Sequence, residues 1–458
     1  MWSIRQWICL LGLVLLAGMA SACGRSEAPV QNLRIVSPHG SRIKSEFAAA
    51  FERWYQQTYG QTVKVNYPDH GGTSTIFQYL ERQYAQNPTC NYDLVWGGGS
   101  AEFDRLAAKN FIVSPASAGV PLDADTLTAL PVEVQGTILR GPEDRWYGST
   151  MSYFGLVVSK TRMQELGLQR PRFWADVAAP AWHGQLSLGD PSKSGSVKTC
   201  YELVLQANGW ERGWGILTGM FANANSIREG GSQPAEEVGS ENAAAGVVID
   251  FFGRMQVVRQ GDKLVEFIVP EGGSSLDSDP IAMLRGAPNP ELARRFMTFV
   301  LSPAGQQLWV YKPGVPGGPQ YRALARMSIR PEVYTQGGDK LIDPQNPFTA
   351  PPPLQVVRDL ARTRGFILGD LIRFTLIDNH PALARLRLDL ARAGDPPELV
   401  AQLLAPPFAE GALGEVVKTY QRDDKAKTQL RSQWQADYHK RIETITAALR
   451  QRPTGTRP

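Results

Sequence analysis

What most constrains this chain is a repeated switch of hydrophobic period between that of a strand and that of a helix. Leu33 to Ser37 reads as a short apolar strand, and Ser41 to Tyr59 follows with Ile43, Phe47, Ala50, Phe51 and Trp54 at helical spacing. Val63, Val65 and Tyr67 then alternate with polar neighbours, and Thr73 to Tyr84 returns to the helical pattern through Ile76, Phe77, Leu80 and Tyr84. A third strand, Tyr92 to Trp96, runs into Gly97-Gly98-Gly99-Ser100 and another helix. Strands alternating with helices over short loops predict an α/β chain with a mostly parallel sheet. Crossovers in such a sheet set helix N-termini beside the C-terminal ends of the strands, where ligands bind.

Further along, Trp146 to Ser159 is an unusually long extended segment, and a second α/β set runs from His183 to Val258. Long strands can cross between lobes. Leu264 to Val269 leads through Gly272-Gly273-Ser274-Ser275 to Ile281-Ala282-Met283-Leu284, read as the return crossing, and two helical stretches follow Pro290. A Pro- and Gly-rich region from Pro313 to Pro353 marks a change of composition. Beyond it the chain reads as helical, with Trp434, Tyr438, Ile442, Ile445 and Leu449 on one face. The expected organisation is a first part of lobe 1 over 33–150, lobe 2 over 151–265, a return to lobe 1 over 266–330 and a mainly helical extension over 331–458.

The N-terminus predicts export. Arg5, an apolar stretch from Ile8 to Leu16 and the small residues Ala20, Ser21 and Ala22 precede Cys23, so 1–22 reads as a signal peptide. The apolar stretch is shorter than the roughly 20 residues that cross a bilayer. Small residues before a cysteine resemble the bacterial lipobox, although Ala20 departs from the usual leucine. That implies acylation of Cys23, a tether over 23–32, and a protein held at the periplasmic face of a bacterial membrane; plain secretion with Cys23 left as an ordinary residue is the alternative. A hydrophobic share of 43% with 20% charged residues excludes disorder and a multispanning chain. A net charge of +4 without a long basic run gives no ground for a nucleic-acid partner. Four cysteines and no C-x-x-C pair exclude a disulfide scaffold, and Cys90 and Cys200 are expected unpaired in different lobes.

Several segments together resemble the bacterial extracellular solute-binding proteins of ABC importers, in particular the ferric-ion, phosphonate and sugar-phosphate group of the type II periplasmic-binding fold. They are Ile35-Val36-Ser37-Pro38-His39, Tyr153-Phe154-Gly155-Leu156-Val157, Gly189-Asp190-Pro191-Ser192-Lys193-Ser194-Gly195-Ser196 and Asp279-Pro280-Ile281-Ala282. Gly286 to Ala293 and Leu301-Ser302-Pro303-Ala304-Gly305-Gln306 add to them, in the order and spacing of that group. The resemblance implies two α/β lobes joined by crossing strands, a ligand held between them, hinge closure, and delivery to a membrane permease by a monomer that carries no cofactor.

Within that implied fold, three Gly/Ser loops at helix starts suit an anion, because the first N–H groups of a helix lack partners and carry partial positive charge. They contain Gly72, Thr73 and Ser74; Gly98 and Gly99; and Ser192, Ser194, Gly195 and Ser196, the last set joined by Lys193 and Lys198. Simple capping is the alternative for each. Ser37 and His39 follow the first strand, where cleft residues lie in this fold; a structural histidine is the alternative. Tyr153 lies on the first crossing, as a ligand contact or as core. Ser232, in the loop after Arg228, is a weaker candidate. Ferric-ion members hold iron with neighbouring tyrosines, yet no two tyrosines are adjacent here, and Asp250-Phe251-Phe252 stands at the matching place. Phenylalanine offers no oxygen to a hard ferric ion. Asp250 would accept from a ligand amine or hydroxyl, or be paired within its own lobe; Asp277 and Asp279 are weaker candidates of the same kind.

The expected function is therefore the capture of a small anionic solute, a phosphonate or sugar phosphate, with iron as the alternative. G-x-S-x-G, H-E-x-x-H and the phosphate-loop motif are absent, so no enzyme is expected. A sensor of the same fold, or a binding lobe fused to a peptidoglycan-cleaving domain, are the other classes.

Overall fold

Strand β1 (Gln31–Val36) lies between β2 (Val63–Asn66) and β3 (Leu94–Trp96) and runs parallel to both. The connecting helices are α1 (Ser41–Tyr59) and α2 (Thr73–Gln86), and α3 (Ser100–Ala108) follows β3. The structure, a computed structural model, describes residues 30–343 and 345–452. The expected signal peptide and acylated Cys23 lie outside the described residues, as does the side chain of Ser74. Helix α1 buries Ile43, Glu46, Phe47, Phe51 and Tyr55, one face of a 3.6-residue period. Glu46 is tolerated there because its carboxylate accepts from the backbone N–H groups of Gln320, Tyr321 and Arg322.

After the short strand β4 (Ile112–Val113) and the hairpin β5 (Glu133–Val134) and β6 (Thr137–Ile138), the chain enters β7 (Tyr147–Ser159), buried along its whole length. The second half contributes β8 (Leu186–Gly189), helices α4 (Gly195–Asn208) and α5 (Trp210–Ala222), β9 (Ala224–Arg228), β10 (Ala245–Ile249), α6 (Asp250–Gln260) and β11 (Val265–Ile268). Strand β12 (Leu276–Leu284) and helices α7 (Pro290–Leu301) and α8 (Pro303–Val310) follow.

The strands join in the order β2-β1-β3-β12-β7-β10-β8-β9, with β4 beside β12 and β11 beside β7. The outer strands of each half are parallel, whereas β7 and β12 run antiparallel to each other and to their flanking strands. Strand β7 serves both halves: Tyr147 to Tyr153 pair with β12, and Phe154 to Ser159 pair with β10 and β11. The return is split in the same way, because β11 lies against the second-half end of β7 and β12 against the first-half end. The boundary read at residue 265 thus falls on the first residue of β11.

Each half has its own core. Phe47, Trp96, Phe296 and Trp309 belong to that of the first, where truncating Phe47 would cost about 3–5 kcal/mol. In the second, Val197, Trp214 and Phe221 share a core with Ile367, Leu371, Leu376, Trp434 and Tyr438 from the C-terminal helices. Those helices are α9 (Arg358–Gly365), α10 (Leu368–Ile372), a π-helical turn Arg373–Ile377, α11 (His380–Arg392), α12 (Pro397–Leu404), α13 (Leu413–Arg422) and α14 (Asp424–Arg450). Cys90 and Cys200 are buried free thiols in different clusters. No helix among the described residues is long and apolar enough to cross a membrane.

Candidate functional site

The glycine loop between β3 and α3 is a left-handed path, with φ of 92° at Gly97, 125° at Gly98 and 90° at Gly99. A side chain at Gly97 would come within 2.7 Å of His39 Nε2, so glycine is required by space as well as by φ. The loop does present amides for an anion, and the anion is the chain's own. Asp279 Oδ1 accepts from Gly98 N at 2.7 Å and Gly99 N at 3.4 Å. Asp279 Oδ2 lies 2.9 Å from His39 Nε2 and pairs with Arg326. Burial pushes the Asp279 carboxyl up, but Arg326 and His39 more than offset it and hold it well below the usual carboxylate range. Burial lowers the pKa of His39; facing an ionised carboxylate, its Nε2 carries the proton and donates.

Four of the candidates are thus engaged within the chain. Gly98 and Gly99 have their amides taken internally, His39 is a buried partner of Asp279, and the buried Ser37 hydroxyl accepts from His39 N at 3.2 Å. None of them is free to hold a solute as folded. Asp277, two residues before Asp279, accepts from Ser100 Oγ at 2.7 Å and from Ser278 N at 2.9 Å. Burial pushes its pKa up to about 6 against those hydrogen bonds. Gly72 is exposed and Thr73 half-buried at the start of α2, beside Gly98.

The start of α4 is arranged differently. Ser194 caps the helix, accepting from Val197 N at 3.5 Å, and its hydroxyl lies 3.2 Å from that of Ser196. The N–H groups of Gly195 and Ser196 meet no acceptor among the described residues. Gly231 faces this pair: a side chain there would lie 2.8 Å from Ser194 Oγ, 3.1 Å from Ser196 Oγ and 3.7 Å from the Phe252 ring. Ser192 is turned away, since its N–H and hydroxyl both donate to Asp190 Oδ1, at 2.8 and 2.7 Å. In the neighbouring loop Ser232 is half-buried and makes no capping bond, and Arg228 is half-exposed and paired with Glu237 of its own half.

Two further candidates are buried under the junction. Asp250 is fully buried at the first turn of α6, with Oδ2 3.4 Å from Arg254 Nε. Burial pushes its pKa up, with Arg254 acting against that. Tyr153 is 2% exposed and belongs to the first core. The residue that ties the halves together was not foreseen: Arg326 pairs with Asp279 of β12, and its guanidinium lies 4.0 Å from the centre of the Phe251 ring on α6. Arg254 in turn pairs with Asp343 and Gln345. Both arginines follow stretches without a recognisable motif, so only the long-range pairing reveals them.

Residues 98–329, from the glycine loop to just beyond the bridge of Met151 with Met327, match the model of a family described as bacterial extracellular solute-binding protein. The chain belongs to that family, and its architecture is that of a two-lobed periplasmic-binding protein with a helical C-terminal extension. It is 26% identical over 182 residues to the phosphoglycerate transport regulatory protein PgtC of Salmonella typhimurium, a match covering 40% of this chain and 45% of that protein. The chain thus spans less than half the length of that curated relative. Among solved structures it is similar to iron-bound HitA from Pseudomonas aeruginosa, with 19% identity, 74% of this chain and 98% of that one covered, and a TM-score of 0.52. The apo ferric ion-binding protein A of Pasteurella haemolytica gives 12%, 79%, 98% and 0.53 in the same order. At such identities the likeness concerns the fold.

Proposed function

We infer that this chain is the solute-capturing subunit of an ABC importer, that it takes a small organic anion such as a phosphonate or sugar phosphate between its halves, and that it hands the solute unaltered to a permease. The anionic group sits at the start of α4, on the N–H groups of Gly195 and Ser196 and the hydroxyls of Ser194 and Ser196, with Ser232, Gly72 and Thr73 at the rim. Acylation at Cys23 holds the protein at the membrane, where two or more chains give stable anchoring.

The observation that carries this reading is the contrast at α4: the amides of Gly195 and Ser196 meet no acceptor among the described residues and stand beside two adjacent hydroxyls. Iron is disfavoured because Phe251 and Phe252 offer no oxygen ligands. The relative named for phosphoglycerate transport agrees in chemistry, a phosphorylated organic acid.

Thermal unfolding of the mature protein with 3-phosphoglycerate, hexose phosphates, phosphonates, polyamines and ferric salts tests the reading. A ligand at 100 times its Kd stabilises by about 2.7 kcal/mol. An upward shift in Tm with a phosphorylated or phosphonate compound is expected; a shift with ferric salts alone overturns the ligand class. Ser194→Asp separates binding from capping, because aspartate caps as well as serine but repels an anion. The variant should fold normally and lose the shift, and retention of the shift would reduce the loop to a cap.

A further inference from the structure

The family match ends at Ile329, yet the C-terminal helices reach the loop that leads into α4. Asp190, at the end of β8, is 3% exposed and organises that loop. Its Oδ1 accepts from Ser192 N and Oγ, its carbonyl accepts from Lys193 N and Ser194 N at 3.1 Å each, and its Oδ2 accepts from Arg373 Nη1 at 2.5 Å. Arg373 opens the π-helical turn after α10 and is steadied by Asp378, 3.1 Å from its Nε. Such turns often mark functional positions in helices. One turn earlier, Gly369 lies so close to the loop that a side chain would meet Pro191 O at 3.1 Å and Ser192 Cα at 3.2 Å. On the other flank, Lys198 Nζ donates to Gly365 O at 3.4 Å.

We propose that Arg373 and Gly369 are positioning residues for the anion site: the C-terminal extension holds the Asp190–Ser194 turn in the shape that aims the Gly195 and Ser196 amides at the solute. This rests on the reading that the start of α4 takes the anion. The physical reason is that Asp190 needs both of its partners. Without Arg373 its buried Oδ2 has no donor, and the carboxylate is drawn toward solvent together with the Ser192 turn that hangs on Oδ1. Closeness at Gly369 fixes the turn from the other side by excluding any outward shift of Pro191. The extension thereby becomes a determinant of affinity, acting through Asp190 and without touching the solute.

The test compares Arg373→Met, Arg373→Lys and Gly369→Ala with Arg431→Met. Arg431 docks the same extension through Asp370, next to Gly369, with Nε 2.6 Å from Oδ2, but makes no hydrogen bond to the loop itself. Amide hydrogen exchange of residues 192–197 is measured in the ligand-free full chain, and Kd for 3-phosphoglycerate, fructose 6-phosphate and inorganic phosphate by calorimetry. Expected for Arg373→Met and Gly369→Ala are exchange at 192–197 at least tenfold faster and Kd at least tenfold weaker. Arg373→Lys should recover part of both, and Arg431→Met should leave both near wild type. Unchanged exchange in Arg373→Met and Gly369→Ala, or equal effects of Arg431→Met, would overturn the proposal. If the wild type binds none of the three compounds, the assigned ligand site fails, while exchange still decides whether these residues hold the turn. If Arg373→Met does not fold, Gly369→Ala and Arg373→Lys carry the decision.

Discussion

The glycine loop before α3 and the serine loop before α4 share one local design, and the fold uses them in opposite ways. Both put small residues ahead of a helix at the C-terminal end of a strand, and both present N–H groups that attract negative charge. At the first, Asp279 fills the cradle and brings His39 and Arg326 with it. At the second, the amides of Gly195 and Ser196 meet no acceptor among the described residues, and Gly231 packs close against the Ser194 and Ser196 hydroxyls. The difference teaches that a helix start fixes the sign of what binds, and that tertiary contacts fix whether the chain itself supplies it.

The comparison breaks most decisively at Asp279. Asp279→Ala strands Arg326 and His39, each less than 10% exposed, and removing one partner of such a buried pair costs about 3–5 kcal/mol. Urea unfolding should show that loss, and added acetate or phosphate should restore part of it by entering the vacated cradle. A loss below about 1 kcal/mol would mean that the first loop is not held by its internal anion. Gly97→Ala is expected to cost less, about 1–3 kcal/mol, from positive φ and contact with His39. A neutral result would show that His39 gives way freely.

Gly231→Ala probes the open cradle. Its new methyl group would lie 2.8 Å from Ser194 Oγ and displace that hydroxyl, so Kd for a phosphorylated solute should weaken about tenfold, worth about 1.4 kcal/mol. Unchanged affinity would move the solute away from this loop and remove the functional side of the comparison.

The fold was legible because long periodic stretches state their own geometry: the helical face of Ile43, Phe47 and Phe51, the length of β7, and the alternation that follows each. The two crossings were legible too, although the split between β11 and β12 was not, since which end of β7 a strand pairs with is a long-range choice. At the site, glycines marked the first loop as a place for negative charge, which Asp279 occupies, and serines marked the start of α4 by the same rule. Their sequence does not tell which one is filled, because Asp279 and Gly98 are 181 residues apart. Asp250 shows the same limit. A carboxylate at a helix start suits the helix dipole equally whether it faces a solute or Arg254. Arg326 and Arg373 carried no local signal, since arginines on polar surroundings read as solvated until their partners are known.

The comparison is sharpened once more within one strand. Asp277 and Asp279 are two residues apart on β12, and the fold shifts them in opposite directions. Asp279 is held low by Arg326 and His39, so it contributes stability above the ordinary carboxylate range that is lost as pH falls. Asp277 is raised from 3.8 to about 6 by burial, so the fold favours its protonated form; that contribution is full below about pH 4 and is lost as pH rises through about 6. The slope cannot exceed one proton, about 1.4 kcal/mol per pH unit. Asp277→Asn should therefore remove a stability loss between pH 4 and 6 and match the wild type most closely at the acid end. Taking the difference between the two proteins cancels His39 and Asp279, which both retain. If the two stability curves run parallel from pH 4 to 7, Asp277 is an ordinary surface carboxylate, and only Asp279 feels the interior of the first cradle.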